Sequence, residues 1–298
     1  MAELMTRDGS WAFDGEAVRI VPGSERGVHR LRQELGEHTV PLEAVAGIFY
    51  EPARKGGRLR LRLRDGADPL LQATGGRLPD DASPYHLAVE ADRAGVAEYL
   101  VGEVRRALTL EEIPEEPCDR YLLPGPAVPL SAAGVDGTAT FDGERVEIAW
   151  RWNTNEHKKH AGPQEFAIGD LEAVEWRPPV GLDSGFLRFR PHGVKPHGKP
   201  EHDPHAIELW GFKKESGRTA LLASAVTARL PHPKAPARRL EAAPSGPAAE
   251  PRAAAPAEDH DTLLRRLREL GELRRDGVLT EGEFAAAKAS VLERFHGA

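Results

Sequence analysis

The stretch GSWAFDGEAVRI, residues 9–20, returns as GTATFDGERVEI, residues 137–148. Repetition at a fixed spacing is the mark of a duplicated unit, and the surrounding sequence extends it. Phe13-Asp14-Gly15-Glu16 matches Phe141-Asp142-Gly143-Glu144 at an offset of 128, and Leu42-Glu43-Ala44-Val45 matches Leu171-Glu172-Ala173-Val174 at 129. Gly57-Arg58-Leu59-Arg60 meets Gly185-Phe186-Leu187-Arg188 at 128, and Ser83-Pro84-Tyr85 meets Asp203-Pro204-His205 at 120. Four anchors in one order, with length changes only between them, predict two copies of one domain.

Asp14-Gly15 and Asp142-Gly143 sit between β-rich runs, a strong hairpin signal because glycine accepts positive φ without steric cost. FDG is read as the tight turn of the first hairpin in each copy. Val18-Arg19-Ile20, Val146-Glu147-Ile148 and above all RLRLRLR, residues 58–64, alternate as half-buried strands do. Further strands fit residues 85–90 and 206–212. Each copy then ends in an amphipathic helix, predicted over 92–108 and 216–230, with one apolar side for the sheet. The expected fold is therefore α+β: small antiparallel β domains over 3–109 and 135–231, each closed by a C-terminal helix. That architecture is similar to pleckstrin-homology-like (PH-like) domains.

Residues 110–134 read as a proline-rich connector in which Tyr121-Leu122-Leu123 can pack across the two domains. Residues 232–257, rich in Pro and Ala, have too few large apolar side chains for a core and are expected to form a disordered or extended linker. Over 258–298, Leu263, Leu264, Leu267, Leu270 and Leu273 form a helical stripe. Gly277 ends that helix, and the capping box Thr280-Glu281-Gly282-Glu283 starts a second one carrying Phe284. Two short amphipathic helices rarely hold a fold alone, so these apolar residues are expected to mediate association.

This tail resembles the SHOCT domain, a short bacterial C-terminal helical hairpin, in its Leu-rich first helix, Glu272-Leu273-Arg274, Asp276-Gly277, Leu279-Thr280, Glu283-Phe284 and Lys288. The FDG, LEAV and Gly-x-Leu-Arg segments make both repeats similar to a domain of high-GC bacteria that occurs in tandem and carries no established catalytic motif. The resemblance implies a non-enzymatic binding or scaffold protein whose tail serves oligomerisation or docking of a protein partner.

The chain has 298 residues, 40% hydrophobic and 29% charged, with a formal net charge of −7. An acidic chain is not built to coat nucleic acid. One cysteine, Cys118, excludes an intramolecular disulfide, and with no leader pattern and no run of about 18 apolar residues the expectation is a cytoplasmic protein. Walker and Rossmann loops, HExxH and CxxC are missing, so neither an enzyme nor a cofactor is expected.

Two constellations remain. Arg58, Arg60, Arg62 and Arg64 project from one strand face, with Arg188 and Arg190 on the matching strand. Planar guanidinium forks suit phosphate or carboxylate, so an anionic lipid surface is the alternative partner; against it stands neutralisation by acidic neighbours on adjacent strands. His192, His197, His202 and His205 crowd the segment PHGVKPHGKPEHDPH, with His157 and His160 in an earlier loop. Imidazole ligates zinc, copper or nickel, although no cysteine supports such a site and Lys195 and Lys199 oppose it. Trp150 and Trp152 share parity with Ile148 and are expected to be buried with it.

Overall fold

The computed structural model describes residues 1–235, except 153, 181–182 and 211–212. Most of the linker, and the tail with Leu263, Leu264, Leu267, Leu270, Leu273 and Phe284, lie outside the described residues.

Copy one runs β1 (Ala2–Thr6), β2 (Gly9–Phe13), β3 (Ala17–Pro22), α1 (Arg30–Leu35), β4 (His38–Pro41), β5 (Val45–Ala53), β6 (Gly56–Leu63), α2 (Pro69–Thr74), β7 (His86–Val89) and α3 (Ala94–Leu110). Copy two runs β8 (Leu130–Ala133), β9 (Gly137–Phe141), β10 (Arg145–Trp150), α4 (Glu156–Ala161), β11 (Gln164–Ala167), β12 (Leu171–Arg177), β13 (Gly185–Pro191), β14 (Ala206–Leu209) and α5 (Lys213–Thr227). Each copy is a four-stranded and a three-stranded antiparallel sheet, β1-β2-β3-β4 with β5-β6-β7 and β8-β9-β10-β11 with β12-β13-β14. The tandem α+β expectation is met at this level.

The FDG turns form as expected. Asp14 Oδ1 accepts from the amides of Glu16 and Ala17, Asp142 Oδ1 from those of Glu144 and Arg145, and Gly15 and Gly143 sit at φ 114° and 117°. They close the second hairpin of each copy, however, because β1 and β8 precede the repeated dodecamer. β8 therefore falls inside the stretch read as connector.

The LEAV anchor aligns differently. Val45 pairs with Leu63 and Leu171 with Pro191, and in both strands the register shifts at the next step, so Val45 corresponds to Leu171 at an offset of 126. In copy one, LEAV spans a 3₁₀ turn, Leu42–Ala44, plus the first strand residue; in copy two it is strand from its start. The pattern of buried positions and the bulge set the register, not the tetrapeptide.

The first core gathers Trp11, Phe13, Ile20, Ile48, Leu59, Leu61, Leu87 and Leu100; the second gathers Phe141, Ile148, Trp176, Leu187, Phe189 and Ile207. The connector is tied to copy one: Leu122 and Leu123 donate their amides to Ala67 O, and Cys118 and Leu123 are buried in the first core. Tyr121 does reach the seam, lining a cleft with Gln72 and Ala73 of copy one and Val174 and Leu230 of copy two.

The closing helices differ. α3 is amphipathic, burying Ala97, Leu100, Val101 and Val104 while Val96, Tyr99 and Leu110 remain exposed. In α5 every residue from Thr219 to Thr227 is buried, so the helix is covered on all sides. The cover comes from copy one: α1 and α2 pack on α5, and Leu31, Leu70 and Ala73 join the second core. Gly217 permits the approach, since a Cβ there would sit 3.1 Å from Leu31 Cβ. Asp68 starts α2 by accepting from the amides of Leu70 and Leu71, with Pro69 pre-set at the first helical position. No helix among the described residues is long and apolar enough to cross a membrane.

This seam predicts that damage in copy one unfolds copy two. Four of the five tryptophans, Trp150, Trp152, Trp176 and Trp210, lie in copy two, so a Trp11→Phe background makes fluorescence report on that copy alone. Leu70→Asp, which buries an unpaired carboxylate at the seam, should lower the denaturant midpoint of the copy-two signal by several kcal/mol equivalent. An unchanged midpoint refutes a shared core.

Candidate functional site

The residue before the repeated dodecamer is aspartate in both copies, Asp8 and Asp136, and each carboxylate is the centre of a polar constellation, half-buried in copy one and buried in copy two. In copy one, Arg32 of α1 donates through Nη1 to both Asp8 oxygens at 2.9 Å and through Nη2 to the Asp8 carbonyl at 3.1 Å. Asp8 Oδ2 also accepts the amide of Ala88 on β7 at 2.9 Å. In copy two, Lys158 of α4 pairs with Asp136 Oδ2 and donates to Ala206 O at 2.8 Å, while Asp136 Oδ1 accepts the Glu208 amide at 2.9 Å. Each pair joins three elements: the first hairpin turn, the short helix and the edge strand.

Lys158 is fully buried and stands 5.0 Å over the Trp150 ring, whose Nε1 donates to Gly162 O at 2.7 Å. In copy one the pair is less enclosed, with the Asp8 side chain 21% exposed against 7% for Asp136. A cleft of about 310 Å³ opens there, lined by Asp8, Arg32, Arg58, Asp80, His86 and Ala88. Copy two carries Phe186, Ala206 and Glu208 where copy one has Arg58, His86 and Ala88.

The arginine face is extensively paired. Arg58 contacts Asp80 at 2.5 Å; Arg60 contacts Asp80 at 3.3 Å and Glu51 at 3.4 Å. Arg64 donates to the carbonyls of Glu43 and Glu116. Arg188 is buried between Asp203 at 2.8 Å and Glu175 at 3.3 Å, and Arg190 reaches Glu172 and Glu175. Arg62 is exposed and makes no ion pair among the described residues. Carboxylates on the adjacent strand engage Arg60, Arg188 and Arg190, loop Asp80 engages Arg58, and Arg64 is held by backbone carbonyls alone.

The histidines scatter. His205 packs edge-on against Phe166 at 5.3 Å, and the amide of His192 bonds back to Asp170 O. His197 and His202 are in ring contact at 5.8 Å, and the third ring present is His157 on α4, at 5.3 Å from His202, rather than His192 or His205. Among the described residues no three His, Cys, Asp or Glu side chains are gathered into a ready metal-ligand set. Cys118 is buried. The tryptophan expectation fails at Trp152: β10 ends at Trp150, the chain turns as Arg151 N bonds to Asp136 O, and Trp152 is 90% exposed. Strand parity has no meaning beyond the strand's end.

Burial dominates the titration of the polar interior. Asp68, accepting also from Tyr85 Oη at 2.7 Å, has its carboxyl raised by burial, which outweighs those hydrogen bonds, and Tyr85 is pushed well above the usual phenol range. Burial, with help from the Asp68 charge, raises Tyr121 to about 12. His38, His86 and His205 are all lowered, chiefly by burial.

Two predictions follow from these groups. Lys158→Met strands Asp136 as an uncompensated buried charge and should cost about 3–5 kcal/mol of unfolding free energy, whereas adding Asp136→Asn should restore much of it. Additive losses in chemical denaturation would refute a coupled pair. Second, the three lowered histidines take up protons less readily in the fold than in the unfolded chain, where uptake begins as pH falls toward about 6.5. Stability should therefore hold above that value and fall as pH drops, by at most about 1.4 kcal/mol per pH unit for each group. Urea midpoints at pH 7.5 and 5.5 measure this, and His38→Gln should flatten the slope; equal midpoints would rule it out.

No curated protein matches the chain. A family profile described as Domain of unknown function (DUF4429) matches residues 11–105 and 139–227, once in each copy and over more than half of the 298 residues. The chain belongs to that family, which it carries twice in tandem.

Proposed function

We propose that the protein is a non-enzymatic binding platform: two PH-like modules fused into one rigid body, followed by a SHOCT-like tail that mediates self-association. The observation that carries this reading is the seam. α5 is enclosed by α1 and α2 of the other copy, so the tandem presents one fixed surface rather than two independent beads. A body held at a fixed geometry, joined through a Pro/Ala-rich stretch to an amphipathic hairpin, suits multivalent capture of a protein partner.

The second reading is an anionic lipid surface met through the arginine strands. It is favoured by Arg62 alone, which is exposed and without an ion pair among the described residues; the others would have to surrender carboxylate or carbonyl partners.

Light scattering on the full chain and on a chain ending at residue 257 tests the first reading. The full chain should form a discrete oligomer, and the shortened one should be a monomer with the same melting temperature. Two monomers, with the shortened one melting lower, would make the tail an intramolecular brace. Co-sedimentation with phosphatidylserine vesicles, abolished by Arg62→Glu, would instead favour the lipid reading.

A further inference from the structure

The position in α4 that corresponds to Leu31 of α1 is His157. In copy one that position docks on α5; in copy two it faces outward and meets a second histidine, His202, from the turn Pro200–His202. The residue corresponding to His202 in copy one is Ala82, also a non-ligand. Histidine thus enters this face from separate segments in copy two only.

The spacing of the rings, though not their orientation, is close to what an ion requires. The His157 and His197 rings stand 5.3 Å and 5.8 Å from the His202 ring, at 73° and 83°. Two imidazoles on one tetrahedral ion, each bonded at about 2.1 Å, hold their ring centres about 5 Å apart. Glu201 Oε1 lies 3.3 Å from His202 Nε2. A carboxylate there places the imidazole proton on Nε2 and leaves a lone pair on Nδ1. That Nδ1 is shut off from solvent and has no hydrogen-bond partner among the described residues. A carboxylate on one imidazole nitrogen and a bare lone pair on the other is the arrangement that orients a metal-binding histidine.

We propose that His157, His197 and His202 bind one divalent transition-metal ion of the zinc class, with Glu201 orienting His202. The rings meet edge to face, so their nitrogens must turn toward a common point on binding. His197 would exchange a long contact, the Lys199 amide to its Nδ1 at 3.4 Å, for the ion, and the His157 ring makes no hydrogen bond to break among the described residues. The intervening Gly198 and Pro196 lie in loop rather than in a strand or helix, so the ring movement disturbs no sheet register. Three imidazoles and no thiolate suit zinc, nickel or cobalt(II).

The test is calorimetric titration of the metal-stripped full chain with zinc chloride, with cobalt(II) absorption as a spectroscopic check on nitrogen ligation. One saturable site per chain is expected. His157→Ala, at an exposed position that leaves the fold intact, and His202→Ala should each weaken it by about tenfold or more. Glu201→Gln should weaken it less, and His192→Ala should leave it unchanged. No saturable binding, or wild-type affinity in either the His157→Ala or the His202→Ala chain, would overturn the proposal.

Discussion

The buried ion pair at the first hairpin turn is the constraint on which each copy depends. A turn carboxylate, Asp136 almost wholly and Asp8 largely, is withdrawn from water and must be compensated where it lies. One cation from the short helix and one amide from the edge strand do this in both copies, although the cation is arginine in one and lysine in the other. Arginine reaches both carboxylate oxygens through Nη1 and the Asp8 carbonyl through Nη2, whereas the lysine also donates to Ala206 O and lies over Trp150. The helix after β3 or β10, only six residues long, has little stability of its own. It is held where it is because Arg32, or Lys158, cannot leave the carboxylate without stranding it.

Fixing that helix has different consequences on the two sides of the molecule. In copy one, placing α1 beside α2 creates an apolar edge, Leu31, Leu70 and Ala73, which the alanine-rich α5 accepts at close range. In copy two, the same placement of α4 brings His157 toward the β13–β14 segment instead. The duplication has therefore kept the internal lock and changed the outward face. One copy uses its face to hold the other; the other copy's face is left for something else.

How much of this was legible in the sequence depends on the range of the interaction. The FDG turn is local, a carboxylate bonding to amides two and three residues on, and it is written in consecutive residues. The alternating Leu and Arg of β6 mark a two-faced strand for the same reason. Asp8 and Asp136 were equally available, one residue before a repeated segment, but their partners lie 24 and 22 residues away on short helices without a full apolar period to announce them. α5 carried a signal in TALLASAVT, residues 219–227, which has no charged side at all and so foretells burial all round. What covers it could not be read, because Leu31 and Leu70 belong to the other repeat. LEAV misled because identical tetrapeptides sat three residues apart in structural register, where only the pairing with β6 and β13 decides.

The arginine strands show why a charge pattern is a weak guide to a ligand. Arginines at every second position, 58 to 64, form a basic stripe on paper, yet the chain carries 47 acidic residues against 40 basic ones. Asp80 alone engages two of those arginines from the loop before β7. An incoming phosphate must displace such a carboxylate, and at an exposed site each existing pair is worth only about 0–1 kcal/mol, so pairing by itself does not close the face. Arg188 differs: buried between Asp203 and Glu175, it has lost its water and keeps its carboxylates at a much larger cost of exchange. The same strand position therefore offers Arg60 at an exchangeable surface in copy one and a locked structural cation in copy two.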